Sequence, residues 1–164
     1  MNSFPTHAQL WIYAADKPLS AEVQENIQRQ LAGFFSQWQS HGRKVTGTSE
    51  IWHDRFVAVA SYLEGDISGC GIDASVHAVE EVGAKNGVSW LPAMTIFYQD
   101  AQGNIQALTR PAFRALVQQG IVTADTTVFD TALNSLAALN QNGFAKPAAN
   151  SWHAKVFRIP EVVT

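Results

Sequence analysis

The residues best suited to chemistry lie in one short run, Ser68-Gly69-Cys70-Gly71, followed by Asp73 and Ser75. Cys70 is the only cysteine of the 164-residue chain. A thiol at the start of a helix sits among unpaired backbone N–H groups and the positive end of the helix dipole, and both favour the thiolate. Glycines on either side let a ligand approach the backbone closely. Ser68, Gly69, Cys70, Asp73 and Ser75 are therefore the candidate ligand or reactive site. A plainer reading stands beside this one. A free cysteine usually acts as a small apolar filler. Asp73 sets a negative charge in the expected first turn, which opposes a thiolate, and Asp73 or Ser68 can simply satisfy first-turn donors.

Other chemistry finds less support. The five histidines, His7, His41, His53, His77 and His153, form neither H-x-x-x-H nor H-E-x-x-H, and there is no C-x-x-C. No metal centre and no cofactor is expected. A Cys–His nucleophile pair would require His41, His53 or His153 to meet Cys70 in space. No G-x-S-x-G marks a serine nucleophile, and the isolated Gly103 and Gly120 read as a turn and a helix cap rather than a dinucleotide loop.

Composition narrows the class further. Apolar residues make up 46% of the chain and charged residues 15%, with a net charge of −3. Nothing matches the basic footprint of a nucleic-acid binder. No polybasic segment suits an anionic membrane surface, and the apolar runs are too short to span a bilayer. With one cysteine no intrachain disulfide can form, which suits a reducing compartment. Met1-Asn2-Ser3-Phe4-Pro5 has neither the basic nor the apolar region of a secretory leader. The expected location is cytoplasmic.

The elements that must position these residues follow from periodicity. Residues 8–14 read as a buried strand. Ser20 can cap a long helix with Val23, Ile27, Leu31, Phe34 and Trp38 on one stripe, closed by His41-Gly42. Residues 45–52 and 55–63 read as a hairpin turning at His53-Asp54. A second helix runs from about Gly71 to Lys85, with Ser75, Glu80, Glu81 and Lys85 away from its apolar face, and ends at Asn86-Gly87. Met94–Tyr98 and Ile105–Leu108 are strands. Trp11, Tyr13, Trp52 and Tyr62 are expected to share an outer sheet face. The order β-α-β-β-α-β predicts an α+β, ferredoxin-like fold: one antiparallel sheet over residues 1–108 with two helices on one face.

Residues 110–164 are expected to form a helical C-terminal extension of the same single domain. It begins with a helix over Pro111–Gln119. Val128-Phe129 then reads as a short strand, and Asp130 as the cap of a further helix. Trp152–Phe157 reads as a last strand or arm. Over a short stretch, its order of helix, Gly, Ile and Val-Phe is similar to a peptide-binding GYF-type module.

The block Ser68-Gly69-Cys70-Gly71-Ile72-Asp73-Ala74-Ser75-Val76 resembles the S-G-C-S-I-D-S-S-V segment of a small uncharacterised bacterial family. Trp11-Ile12-Tyr13, Trp38 with His41-Gly42, Gly120-Ile121 with Thr127-Val128-Phe129, and Ser151-Trp152-His153-Ala154 look like the same family. Gly71 and Ala74 stand where its block has serines. Members often carry the label "ABC transporter ATPase". That chemistry requires G-x-x-x-x-G-K-[ST] to wrap backbone N–H groups round phosphates, and no such run occurs here.

Two functions follow from these readings. The first is a non-enzymatic binding or interaction module of a cytoplasmic bacterial protein, with no nucleic-acid or membrane partner and with self-association through a sheet edge or face. The second is a thiol-dependent or small-molecule-binding enzyme centred on Cys70.

Overall fold

The computed structural model describes residues 1–63 and 69–162, the side chain of Cys70 excepted. The fold is α+β, with antiparallel sheets and five α-helices among the described residues. The chain divides into two compact units, Met1–Leu91 with Leu133–Ala138 and Pro92–Ala132 with Leu139–Thr164.

The first unit is built on β1 (Gln9–Ala14), β4 (Thr46–Trp52) and β5 (Phe56–Tyr62), in the order β1-β5-β4. Register pairs Trp11 with Val59, and Val59 with Ser49. Side chains alternate across a sheet, so Trp11, Tyr13, Ile51, Val57 and Val59 share one face. They pack with Ile27, Leu31 and Phe35 of α1 (Ala21–Phe35) and with Val79 and Val82 of α2 (Gly69–Lys85). The four aromatics expected on one outer face therefore divide: by alternation, Trp52 and Tyr62 lie on the face opposite Trp11 and Tyr13.

Ser20 caps α1 as expected, its Oγ accepting from the Val23 N–H at 3.2 Å. The helix ends at Phe35 rather than at His41-Gly42. Those two residues have φ of 52° and 75° and turn a small hairpin between β2 (Gln39–Ser40) and β3 (Arg43–Lys44). Positive φ at both central residues is the mark of a type I′ hairpin turn, whose twist matches the strands. His53 and Asp54 do the same between β4 and β5, as the sequence predicts.

The edge of β1 away from β5 is closed in two places. Residues 89–91 bond its C-terminal end: the Asp16 N–H donates to the Ser89 carbonyl, and the Leu91 N–H to the Ala14 carbonyl, both at 2.9 Å. Residues 134–136 bond its other end, the Leu10 N–H donating to the Asn134 carbonyl and the Leu136 N–H to the Ala8 carbonyl, both at 3.0 Å. An edge that would otherwise expose unpaired backbone groups is thus covered by short segments.

The second unit holds β6 (Ile96–Gln99), β7 (Ile105–Leu108), β8 (Thr127–Phe129) and β9 (Ala145–Pro147), in the order β7-β6-β8-β9. The expected strands at 94–98 and 105–108 exist, but they pair with each other and with β8 in this second sheet. They do not complete the first one. Period-2 alternation reveals a strand and says nothing of its partner. The C-terminal region is not purely helical. Between α3 (Arg110–Gln118), α4 (Leu136–Asn142) and α5 (Trp152–Phe157) it supplies β8 and β9. Residues 152–157 form a helix, not a strand. The core of this unit gathers Ile96, Tyr98, Phe113, Val117, Val128 and Phe157.

Candidate functional site

Of the nominated residues, Asp73 and Ser75 lie on different sides of α2. Ser68 lies outside the described residues. Gly69 and Cys70 begin α2, so Cys70 is in its first turn. The helix starts two residues earlier than expected, and Asp73 falls beyond that turn, which holds no acidic residue. Asp73 is exposed whereas Ser75 is buried. Two residues apart on a helix they point about 200° away from each other. Ser75 was expected off the apolar face. It turns inward because its hydroxyl can donate to the Ile72 carbonyl one turn back, at 2.7 Å, which satisfies a polar group without a ligand.

A denser arrangement of functional side chains occurs in the second unit, around α3 and α5. Thr109 caps α3, its Oγ1 accepting from the Ala112 N–H at 3.3 Å. Gly120, at φ 72°, ends it: the Ile121 N–H reaches back to the Leu116 carbonyl at 3.0 Å. Phe113 and Val117 form the buried face. Arg110 and Arg114, one turn apart, lie beside that face. The Arg110 guanidinium carbon is 5.9 Å from the centroid of the Trp152 ring, and that of Arg114 is 5.7 Å from the Phe157 ring. Both are cation–π contacts from α3 onto aromatics of α5. Arg110 Nε is buried without a hydrogen-bond partner.

A buried ion pair fixes α5 in place. Asp130 accepts from Lys146 Nζ at 2.9 Å through Oδ2, and from Trp152 Nε1 at 2.9 Å and the Ala132 N–H at 3.1 Å through Oδ1. Lys146 also donates to the Gly143 carbonyl at 3.1 Å. Asp130, expected to cap a helix, instead ties β8, β9 and α5 together. The His153 ring stacks on Trp152, with centroids 3.8 Å apart, and only 1% of the residue is exposed. Burial pushes its pKa down to about 4, with the charges of Lys146 and Arg110 acting the same way against the opposing pull of Asp130.

Ser151 Oγ lies 2.7 Å from His153 Nδ1, a contact of the kind a serine nucleophile needs from its base. The chemistry does not follow. An imidazole with a pKa near 4 is too weak a base at neutral pH. The carboxylate that would orient it is taken by Lys146, Trp152 and Ala132. The network is a structural tie. Among the described residues no group of three His, Cys, Asp or Glu could hold a metal ion.

Next to this tie a groove of about 530 Å³ opens, lined by Arg114, Val117 and Gln118 of α3 and by Val156, Phe157, Arg158 and Pro160 at the end of α5. Its volume lies within the range of ligand-binding clefts. Val156 is 43% exposed. Arg158 holds a left-handed backbone, φ 51° and ψ 49°, at the end of α5. Sequence reading missed this site because its cations are single and scattered along the chain. The only linear signal was an arginine pair four apart on a helix with no acidic residue.

No family model, curated protein or solved structure matches the chain.

Proposed function

We propose that the chain is a non-enzymatic interaction module that docks a partner protein on the α3–α5 groove. The observation that carries this reading is the division of labour among polar groups in the second unit. Asp130 and Lys146, buried, are committed to each other, and Ser151 to His153, while Arg114 and Arg158 line an open cleft beside exposed Val156. The test is backbone NMR of the chain titrated with peptides selected on it from a random twelve-residue library. Shifts confined to α3 and α5 are expected. A selection that enriches no peptide, or shifts elsewhere, overturns the reading.

The thiol-centred alternative rests on the backbone position of Cys70 and lacks the support of Ser75, whose hydroxyl is used within its own helix. A depressed thiol pKa in a pH series of Cys70 alkylation would restore it. Self-association belongs to the proposal through β4, which is an edge of its sheet; sedimentation velocity at several concentrations reads it. We read the first unit as ferredoxin-like, with residues 89–91 standing where a fourth strand would flank β1. Among the described residues no helix is long and apolar enough to cross a membrane. A cytoplasmic location is proposed on the single cysteine.

A further inference from the structure

We propose that the segment docked on the α3–α5 face combines acidic and apolar residues. Its carboxylates sit on Arg114 and Arg158, and one apolar side chain lies between them against Val117, Val156 and Pro160. This rests on the reading of that face as the docking surface and names the chemistry of its occupant, an extended acidic segment of a partner protein.

Charge complementarity is the first argument. The chain as a whole carries −3, yet neither α3 nor α5 contains an acidic residue. Arg110, Arg114, Lys155 and Arg158 all lie on these helices or directly after them. Among the described residues no carboxylate pairs with Arg114 or Arg158.

Geometry is the second. A guanidinium laid over an aromatic ring keeps its in-plane N–H fork available, and that fork matches a carboxylate bidentately. The Phe157 ring holds Arg114 in this way. An apolar side chain of the segment meets the groove wall at Val117, Val156 and Pro160.

The third argument is what the fold tolerates to keep a cation there. Arg158 occupies a left-handed position at which glycine is the usual residue. A guanidinium stands here although glycine would relieve the backbone.

The same library selection tests the proposal. The expected peptides place Asp or Glu on either side of an apolar residue. Binding of a selected peptide should fall at least about tenfold for Arg114→Gln and again for Arg158→Gly, since each removes a charge-assisted contact. Arg158→Gly should also leave the fold as stable or more so, so that lost binding cannot be put down to unfolding. Enrichment of neutral or basic peptides that still map to α3 and α5 overturns the acidic occupant and leaves the docking surface standing. Failure to enrich any peptide removes both. Equal binding by the Arg114→Gln/Arg158→Gly double variant refutes the assignment of the two arginines. So does displacement of the peptide by a single-stranded oligonucleotide or by a second copy of the chain at lower concentration.

Discussion

The two units solve the problem of a small core in different ways. In the first, α1 and α2 cover a three-stranded sheet and the interior is aliphatic and aromatic: Ile27, Leu31, Phe35, Trp38, Val57, Val59 and Val79. In the second, strands of three or four residues and helices of six to nine leave less apolar surface to bury. There a carboxylate, an ammonium and an imidazole enter the interior and are satisfied by one another and by nearby backbone. The charge balance differs as well. The first unit carries ten Asp or Glu against six Lys or Arg, the second four against five. The difference teaches that in the second unit the position of α5, and with it the cationic groove, hangs on polar contacts that either hold fully or fail.

The largest effect expected from this contrast is at Lys146. Replacing it by Met leaves the Asp130 carboxylate buried without its counter-charge, which should cost about 3–5 kcal/mol. Urea denaturation followed by the fluorescence of Trp152, the one tryptophan of the second unit, reads the loss. The Asp130→Asn/Lys146→Met double variant should lose less, because the two charges vanish together. A single-variant loss below about 1 kcal/mol would place the pair in effective contact with water.

The pH dependence should also separate the units. His153 has a folded pKa near 4 against an ordinary 6.5. The unfolded chain therefore binds the extra proton first as pH falls. Stability from this group is complete above pH 6.5 and is lost progressively as pH drops toward 4, by roughly 3 kcal/mol in all. His153→Phe should flatten that acid limb. In the first unit the phenol of Tyr13 is pushed up to about 12, chiefly by burial and secondarily by Glu80. The unfolded phenol ionises first as pH rises, so this contribution is intact below pH 10 and fades toward 12. Tyr13→Phe should flatten the alkaline limb and leave the acid one. Acid sensitivity that survives His153→Phe would erase the distinction.

The same contrast explains what the sequence made legible. α1 and α2 were readable because each carries one apolar stripe and one local boundary signal, Ser20 at the start of α1 and Gly87, at φ 67°, after the end of α2, whereas His41-Gly42 turned out to close a hairpin and not α1. The turn at His53-Asp54 was readable because its neighbours alternate. Which sheet Ile96–Gln99 would join was not readable, because pairing is decided by residues far along the chain. Asp130 and Lys146 stand sixteen residues apart, and only the β8–β9 register, with Val128 opposite Lys146, brings them together. Ser75 was placed on the wrong face because a serine can satisfy itself within a helix. The groove arginines gather only once α3 and α5 pack.

A close-packing test in the first unit sharpens the comparison. A Cβ at Gly83 would stand 2.5 Å from Trp90 Nε1 and 2.9 Å from the Val88 carbonyl oxygen. Trp90 Nε1 donates to the Val79 carbonyl at 3.0 Å. Gly83→Ala must displace the indole or the backbone and should cost about 1–3 kcal/mol through overpacking. Here the damage is steric and independent of pH between 4 and 8, unlike that at Lys146 or His153. A pH-dependent loss would show that the two units share one mode of failure.

The smallest effect expected has the opposite sign. Among the described residues, four other than glycine hold a positive φ: His41, His53, Asp54 and Arg158. The first three are of types enriched in that region, and each sits in a two-residue hairpin turn. Arg158 is neither, and its left-handed backbone costs roughly 1–2 kcal/mol relative to an ordinary conformation. Glycine removes that penalty but gives back about 0.5–1 kcal/mol through the freedom of its unfolded chain. Arg158→Gly should therefore stabilise the protein by about 0.5–1 kcal/mol, visible as a small rise in melting temperature. The same change at His53 should do less, since histidine already tolerates the turn. If Arg158→Gly destabilises instead, the arginine makes a contact that offsets its strain within the folded chain, and it is not held in reserve for a partner.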